Sequence, residues 1–184
     1  MTSGLSFDPL IHVVVVGFLV VIFARAGYEK LHDYGIYVAT LRDYRLAPQR
    51  LVSALAAALI AAEAVTLVLL IVPGLSLAGG VAAMALFVLY GVAMSLALRA
   101  GRTSIECGCG GQGQIVSWLL VGRNVVLVAF AALVLVPVTS RPLSWLDGIV
   151  ALCAILVGWL LLATAEKSIE TAAAIRRLET ESFL

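Results

Sequence analysis

Five apolar runs divide this chain of 184 residues, and each is long enough to cross a membrane. A transmembrane helix needs about 20 mostly apolar residues, because the hydrocarbon core is about 30 Å thick. In hydrocarbon a helix satisfies its own backbone hydrogen bonds, whereas an open sheet leaves its edges unpaired. The pattern predicts an all-α membrane protein, a bundle of about five transmembrane helices, with spans at residues 10–31, 51–72, 75–98, 117–136 and 144–165.

Residues 166–184 differ from the rest because charged and apolar side chains alternate there. This composition predicts a short charged C-terminal helix, in the cytoplasm or along the membrane surface. A solvated extension of the fifth span is the simpler interpretation. The predicted organisation is therefore a transmembrane bundle at residues 1–165 and a charged tail at 166–184.

The composition supports a membrane environment and excludes nucleic acid as a partner. Hydrophobic residues make up 62% of the chain and charged residues 12%, whereas soluble domains carry about 25% charged residues. The net charge is +1 and there is no basic tract, so nothing attracts a polyanion. The first positive charge, Arg25, follows the first apolar run, which predicts an uncleaved span and not a signal peptide. We expect a multi-pass protein of the cell (inner) membrane, surrounded by membrane lipid.

The positive charges predict an orientation. Lys and Arg are concentrated in the first connection, in the third connection and in the tail, whereas the opposite side carries only Arg141. Short cytoplasmic loops are enriched in Lys and Arg. The N-terminus is therefore predicted to lie outside, and the third connection and the tail in the cytoplasm.

The third connection contains the motif Cys107-Gly108-Cys109. Two thiols one residue apart can close a small, strained disulfide ring, which favours exchange over structural stapling. The alternative is a glycine-rich loop with two spectator thiols. Two thiolates supply only half of a structural zinc site, so no bound metal is predicted. The third cysteine, Cys153, is predicted to be a small buried apolar residue of the fifth span.

Ionisable side chains inside the apolar runs form the second candidate site. Glu63 lies near the middle of the second span, Arg25 in the first, and Arg123 and Asn124 in the fourth. A charge in hydrocarbon is costly and normally pairs inside the bundle. We therefore predict an intramembrane polar cluster of Arg25, Glu63, Arg123 and Asn124. It either fixes the register of the helices or takes part in chemistry, and the sequence leaves both interpretations open.

Several motifs together resemble a known family. The first span ends in AGYEKLHD, which is followed by LRDYRLAP, the intramembrane Glu63, and then ECGCGGQG before SWLLVGRNVVL. This combination resembles the MauE family of methylamine utilization proteins, within the wider group of DoxX-like small membrane proteins. The cysteine motif and the Arg123-Asn124 pair carry the most specific part of the resemblance.

The resemblance implies a membrane factor for processing, transport or maturation of the small (β) subunit of periplasmic methylamine dehydrogenase. That role includes disulfide formation in the subunit as client, with a thioredoxin-like periplasmic partner similar to MauD. Cys107 and Cys109 would be the redox-active pair of a thiol–disulfide oxidoreductase, and a membrane quinone would be the electron acceptor. A periplasmic client conflicts with the cytoplasmic loop that the charges predict.

Two other functions remain open from the sequence. The first is a non-enzymatic membrane scaffold for assembly or export of the same client. The second is a small-solute transporter that uses Glu63 as its coupling carboxylate. Five spans without an internal repeat suit alternating access poorly, because many such transporters are built from repeated halves.

Overall fold

Six α-helices make up most of the fold in a computed structural model that describes residues 7–101 and 117–182. Five stretches are long and apolar enough to cross a membrane: Pro9–His32, Gln49–Ile71, Ser76–Arg99, Trp118–Leu135 and Trp145–Ser168. They match the predicted spans to within a few residues, which confirms the all-α membrane fold. The motif Cys107-Gly108-Cys109 lies outside the described residues.

The helices run alternately between two ends of the bundle. Their bounds are α1 Pro9–His32, α2 Tyr34–Tyr44, α3 Val52–Ile71, α4 Ser76–Arg99, α5 Trp118–Ala132 and α6 Trp145–Ser182. Single 3-10 turns precede α3 and follow α5, at Gln49–Leu51 and Leu133–Leu135. We call the end with residues 7–9, 72–76 and 133–145 the turn end. The opposite end, where α2 connects α1 to α3, is the α2 end.

The centre of the bundle is an apolar core shared by α1, α3, α4 and α5. The rings of Phe23 on α1 and Phe87 on α4 stack with centroids 5.2 Å apart. Helix α2 lies against the start of α3, where its Tyr37 and Val38 pack beside Ala56. The core is thus built from several helices, and α2 closes one end of it.

A tight hairpin joins α3 to α4 at the turn end. Gly74 has a φ of 84°, a conformation that glycine adopts without steric cost. The two helices then approach so closely that a Cβ on Gly79 would lie 2.8 Å from the backbone nitrogen of Leu70. Small residues permit this close approach between membrane helices.

Helix α6 packs mainly on α1 through two glycines. The side chain of Ile155 on α6 lies against Gly17 on α1, and the ring of Phe18 on α1 lies against Gly158 on α6. The helix continues without a break to Ser182, so residues 166–182 of the charged tail form its last part. Cys153 is exposed on the surface of α6, which corrects the prediction that it is buried.

At the turn end, an exposed ion network connects the residue before α1 to the α5–α6 connection and to the start of α6. The guanidinium of Arg141 bridges Asp8, with Nε 3.0 Å from Oδ2, and Asp147, with Nη2 3.1 Å from Oδ1. The hydrogen bonds from Arg141 and from the N–H of Leu10 hold the pKa of Asp8 below its ordinary value. Asp8 thus remains charged at neutral pH, where it caps the start of α1.

The close approach of α3 and α4 gives a first prediction. Gly79→Ala should lower the free energy of unfolding by about 1–3 kcal/mol, because the new methyl group meets backbone that cannot move aside. Gly122→Ala is the matched control, since no described atom lies within 4 Å of a Cβ there. Alanine should stabilise that helix by up to about 1 kcal/mol. Denaturant unfolding of the purified proteins measures the free energy of unfolding of each variant. Equal values for the Gly79→Ala and Gly122→Ala variants would contradict the close packing at Gly79.

Candidate functional site

A buried ion pair joins α1 to α3 near the α2 end. The Nζ of Lys30 donates a hydrogen bond to Oε1 of Glu63, and the two residues are only 4% and 2% exposed. The hydroxyl of Tyr90 on α4 donates to the same carboxylate oxygen at 2.5 Å. We call Lys30, Tyr37, Glu63 and Tyr90 the Glu63 cluster.

Aromatic rings complete the surroundings of Lys30. Its Nζ lies 5.2 Å from the ring centroid of Tyr37 and 4.9 Å from that of Tyr90. Both contacts are cation–π interactions, which strengthen when the cation is removed from water. The other carboxylate oxygen of Glu63, Oε2, is buried and has no hydrogen-bond partner among the described residues. The cluster can therefore accept one more hydrogen bond or a proton.

A second ion cluster joins α1, α5 and α6 at the same end of the bundle. The Nη1 atom of Arg123 lies 2.6 Å from Oε1 of Glu166, and Nη1 of Arg25 lies 3.5 Å from Oε2 of the same carboxylate. Arg25 also pairs with Glu29, its Nε lying 2.8 Å from Oε1. These two arginines and two glutamates, the Glu166 cluster, have no net charge.

Asn124 belongs to neither cluster. Its side-chain amide donates to the backbone carbonyl of Leu120, one turn earlier on α5, at 2.9 Å. The residue is 3% exposed, and its Cβ lies 3.6 Å from the position that a Cβ on Gly91 would take. The side-chain amide thus forms its hydrogen bond within α5, at the contact between α4 and α5.

The structure corrects the predicted polar cluster of Arg25, Glu63, Arg123 and Asn124. Arg25 and Arg123 do meet, but through Glu166, and Glu63 pairs with Lys30 and Tyr90. The prediction failed because it matched the arginines to the nearest carboxylate in the apolar runs. Lys30 counts among the positive charges of the first connection and Glu166 belongs to the charged tail, so neither residue enters the predicted cluster.

A periodic signal for the missed residues was present in the sequence. Leu19, Ile22, Ala26 and Lys30 recur every three or four residues, and all four are buried. That spacing places them on one face of α1, so Lys30 continues the buried apolar stripe of that helix toward its end. Glu166 similarly follows Leu162, which packs against the core, by one turn of α6. Charged residues in register with a buried stripe are candidates for buried pairs.

The Glu63 cluster brings together three side chains that can gain or lose a proton. A carboxylate, an ammonium and a phenol share one hydrogen-bonded network, in which Lys30 and Glu63 are buried. Such buried groups in membrane helices commonly mark proton or substrate pathways. Among the residues that the structure describes, no group of three or more His, Cys, Asp or Glu is arranged to hold a metal ion. The absence of a bound metal in the whole chain stays a prediction.

Comparison with known proteins gives a consistent result. A family model described as methylamine utilisation protein MauE matches residues 8–137. The methylamine utilization protein MauE of Methylorubrum extorquens is 37% identical over 142 residues, which cover 75% of this chain and 76% of that protein. The MauE of Paracoccus versutus is 36% identical over 73% of this chain and 74% of its own length. No solved structure matches.

The five long apolar helices and these relatives define a multi-pass helical protein of the inner membrane. The chain belongs to the MauE family, since the family match covers more than half of its length. This places it in methylamine utilisation. The match to the MauE of Paracoccus denitrificans, at 38% identity, spans 62% of each chain. The whole of α6, which supplies Glu166, lies beyond the residues that the family model matches.

The buried ion pair gives a second prediction. Lys30→Met and Glu63→Gln should each lower the free energy of unfolding by about 3–5 kcal/mol, because each leaves one buried charge without its partner. The double variant should lose less than the sum of the two, since no lone charge remains. Unfolding of the purified variants in denaturing detergent would measure this double-mutant cycle.

A matched control for this cycle is available on α1. Glu29→Gln removes a carboxylate whose side chain is 31% exposed and pairs with Arg25. It should cost no more than about 1 kcal/mol, because partly exposed ion pairs contribute little. Strict additivity of the Lys30 and Glu63 variants would show that their pairing does not stabilise the bundle.

Proposed function

We propose that this chain is a membrane factor for maturation of the methylamine dehydrogenase small (β) subunit by thiol–disulfide exchange. A thioredoxin-like periplasmic protein of the MauD kind would be its partner. The observation that carries the proposal is the motif Cys107-Gly108-Cys109, between two transmembrane helices of a chain of the MauE family. A strained ring closed by a disulfide between two nearby cysteines suits exchange, because strain raises the reduction potential of the disulfide.

The exchange step balances without any further reactant. A thiolate of the partner attacks one sulfur of the Cys107–Cys109 disulfide, and a mixed disulfide forms. The partner's second thiolate then displaces the sulfur of this chain. The partner leaves with a new disulfide, and Cys107 and Cys109 are left reduced as two thiols.

The helix ends on either side of the connection from α4 to α5 support this role, because they pack against neighbouring helices. Met94 and Ala97, in the last turns of α4, pack with Leu120 in the first turn of α5 and with Tyr44 of α2, and all four are buried. A reactive loop is positioned best when it is attached to rigid elements. The described ends of the connection that carries the motif therefore belong to a packed layer at the α2 end.

Replacement of the thiols gives the third prediction. Cys107→Ser and Cys109→Ser should each abolish correct disulfide formation in the client subunit, because exchange needs both sulfurs. Cys153→Ser is the matched control and should leave maturation unchanged, since that thiol is exposed on α6, outside the motif. Counting free thiols in the client measures the effect, with the membrane level of each variant checked alongside.

Two results of this experiment would contradict the redox proposal. Normal client disulfides in both motif variants would show that the thiols are incidental. Co-purification of client or partner with those variants, without any trapped mixed disulfide in the unaltered protein, would favour the scaffold function instead.

The sidedness of the motif bears directly on the proposal. Lys30 is buried and does not face the headgroups, but Arg42, Arg45, Arg50 and Arg99 remain exposed near the α2 end. The charge rule continues to predict that this end is cytoplasmic. Direct exchange with a periplasmic partner requires the opposite orientation of the loop.

Labelling in intact cells gives the fourth prediction. With Cys107 as the single cysteine, the proposed function predicts modification by a membrane-impermeant maleimide. A Ser140→Cys variant without other cysteines should be protected, because Ser140 lies at the turn end. The reverse pattern would contradict direct exchange with a periplasmic protein, because the thiols would then face the cytoplasm.

A further inference from the structure

A pocket of about 180 Å³ lies beneath α2, between α3 and α4. Its inner wall is formed by buried side chains of α2 and α4: Tyr37, Thr40, Tyr44 and Met94. Its rim carries three exposed leucines, Leu46, Leu55 and Leu89. The pocket therefore extends from an apolar, outward-facing rim to an aromatic interior.

The size of the pocket suits one six-membered ring. A dry cavity of about 150 Å³ lined by apolar side chains holds one benzene molecule. A pocket of about 180 Å³ adds room for small ring substituents. The tyrosine rings of the wall offer flat partners for an aromatic or quinonoid ring, which prefers offset or edge contacts with them.

The inner wall also connects the pocket to the Glu63 cluster. Tyr90 lines the pocket, and its hydroxyl donates a hydrogen bond to Glu63. Lys30 lies 3.4 Å from the same hydroxyl oxygen. A phenol hydroxyl can rotate and serve as donor or acceptor, so a carbonyl in the pocket can receive a hydrogen bond from Tyr90 when Glu63 takes up a proton on its unpartnered oxygen.

We propose that this pocket binds the ring of an isoprenoid quinone, whose tail leaves between the rim leucines. An acyl chain would fill the same apolar volume, but it has no polar group to form a hydrogen bond with the phenol that contacts the buried acid. A quinone ring uses both features, because it is flat and its reduction consumes protons. Tyr90 is then the group that contacts the ring, and Lys30 and Glu63 act through it as positioning residues.

The redox use of this site rests on the proposed function, whereas the binding itself does not. Oxidation of the Cys107 and Cys109 thiols to a disulfide releases two electrons and two protons. One quinone that takes up both becomes a quinol, so atoms and electrons balance. Tyr90 lies nine residues before Arg99, about 14 Å along α4 from the end that leads to the motif.

Binding of a short-tailed ubiquinone to the purified full-length protein tests the proposal. We expect saturable binding of the tritiated quinone. Ala93→Phe should weaken it at least tenfold, because Ala93 lines the pocket and a ring placed there fills it. Tyr90→Phe, a smaller change, should weaken it roughly twofold to tenfold, which is the usual effect of one lost hydrogen bond.

The matched control is Ala85→Phe, on the outward surface of the same helix and away from the pocket. It should bind the quinone like the unaltered protein. Equal binding by the Ala85→Phe and Ala93→Phe variants would overturn the proposal. So would displacement of the quinone by short-chain phospholipid at equal concentration, since the pocket would then be an acyl-chain groove.

The double variant Cys107→Ser/Cys109→Ser separates this proposal from the proposed function. It should bind the quinone with unchanged affinity, because none of the described residues that line the pocket is a cysteine. Retained quinone binding alongside normal client maturation in that variant would reject the thiol role and leave the quinone site standing.

Discussion

The requirement that every charge inside hydrocarbon be paired determines much of this structure. A lone charged side chain at the centre of a membrane helix costs about 2.5–3.5 kcal/mol even on the lenient scale of cellular insertion. The Glu63 cluster meets the requirement with groups from α1, α3 and α4, and the Glu166 cluster with groups from α1, α5 and α6. Together the two clusters connect all five spans, and α1 belongs to both.

Apolar packing alone could not specify this arrangement so closely. Lipid tails are as apolar as leucine, so little hydrophobic free energy drives one membrane helix onto another. Glycines such as Gly17, Gly79 and Gly158 allow close approach, but a helix can slide along such a contact. An ion pair between helices fixes their relative depth, because sliding by one turn would separate the charges by about 5 Å.

The extent of the helices was predictable from the sequence, whereas the pairing of the charges was not. Apolar runs of about 20 residues can only be spans in lipid, so their number and bounds followed from hydropathy. The partner of Glu63 depends on the rotation of each helix about its axis, which a count of residues along the membrane normal does not supply. Lys30 and Glu166 were missed for this reason, although each continues a buried stripe on its helix.

The proposed chemistry gains coherence from the location of its parts at one end of the bundle. The Glu63 cluster and the ring-sized pocket lie at the α2 end, where α4 ends at Arg99 and α5 begins at Trp118. The connection that carries the cysteines starts and finishes at that end. A thiol pair and a quinone that share one membrane face need no electron path across the bilayer. The same arrangement makes orientation decisive, because whichever compartment the α2 end faces is the compartment whose thiols this protein would oxidise.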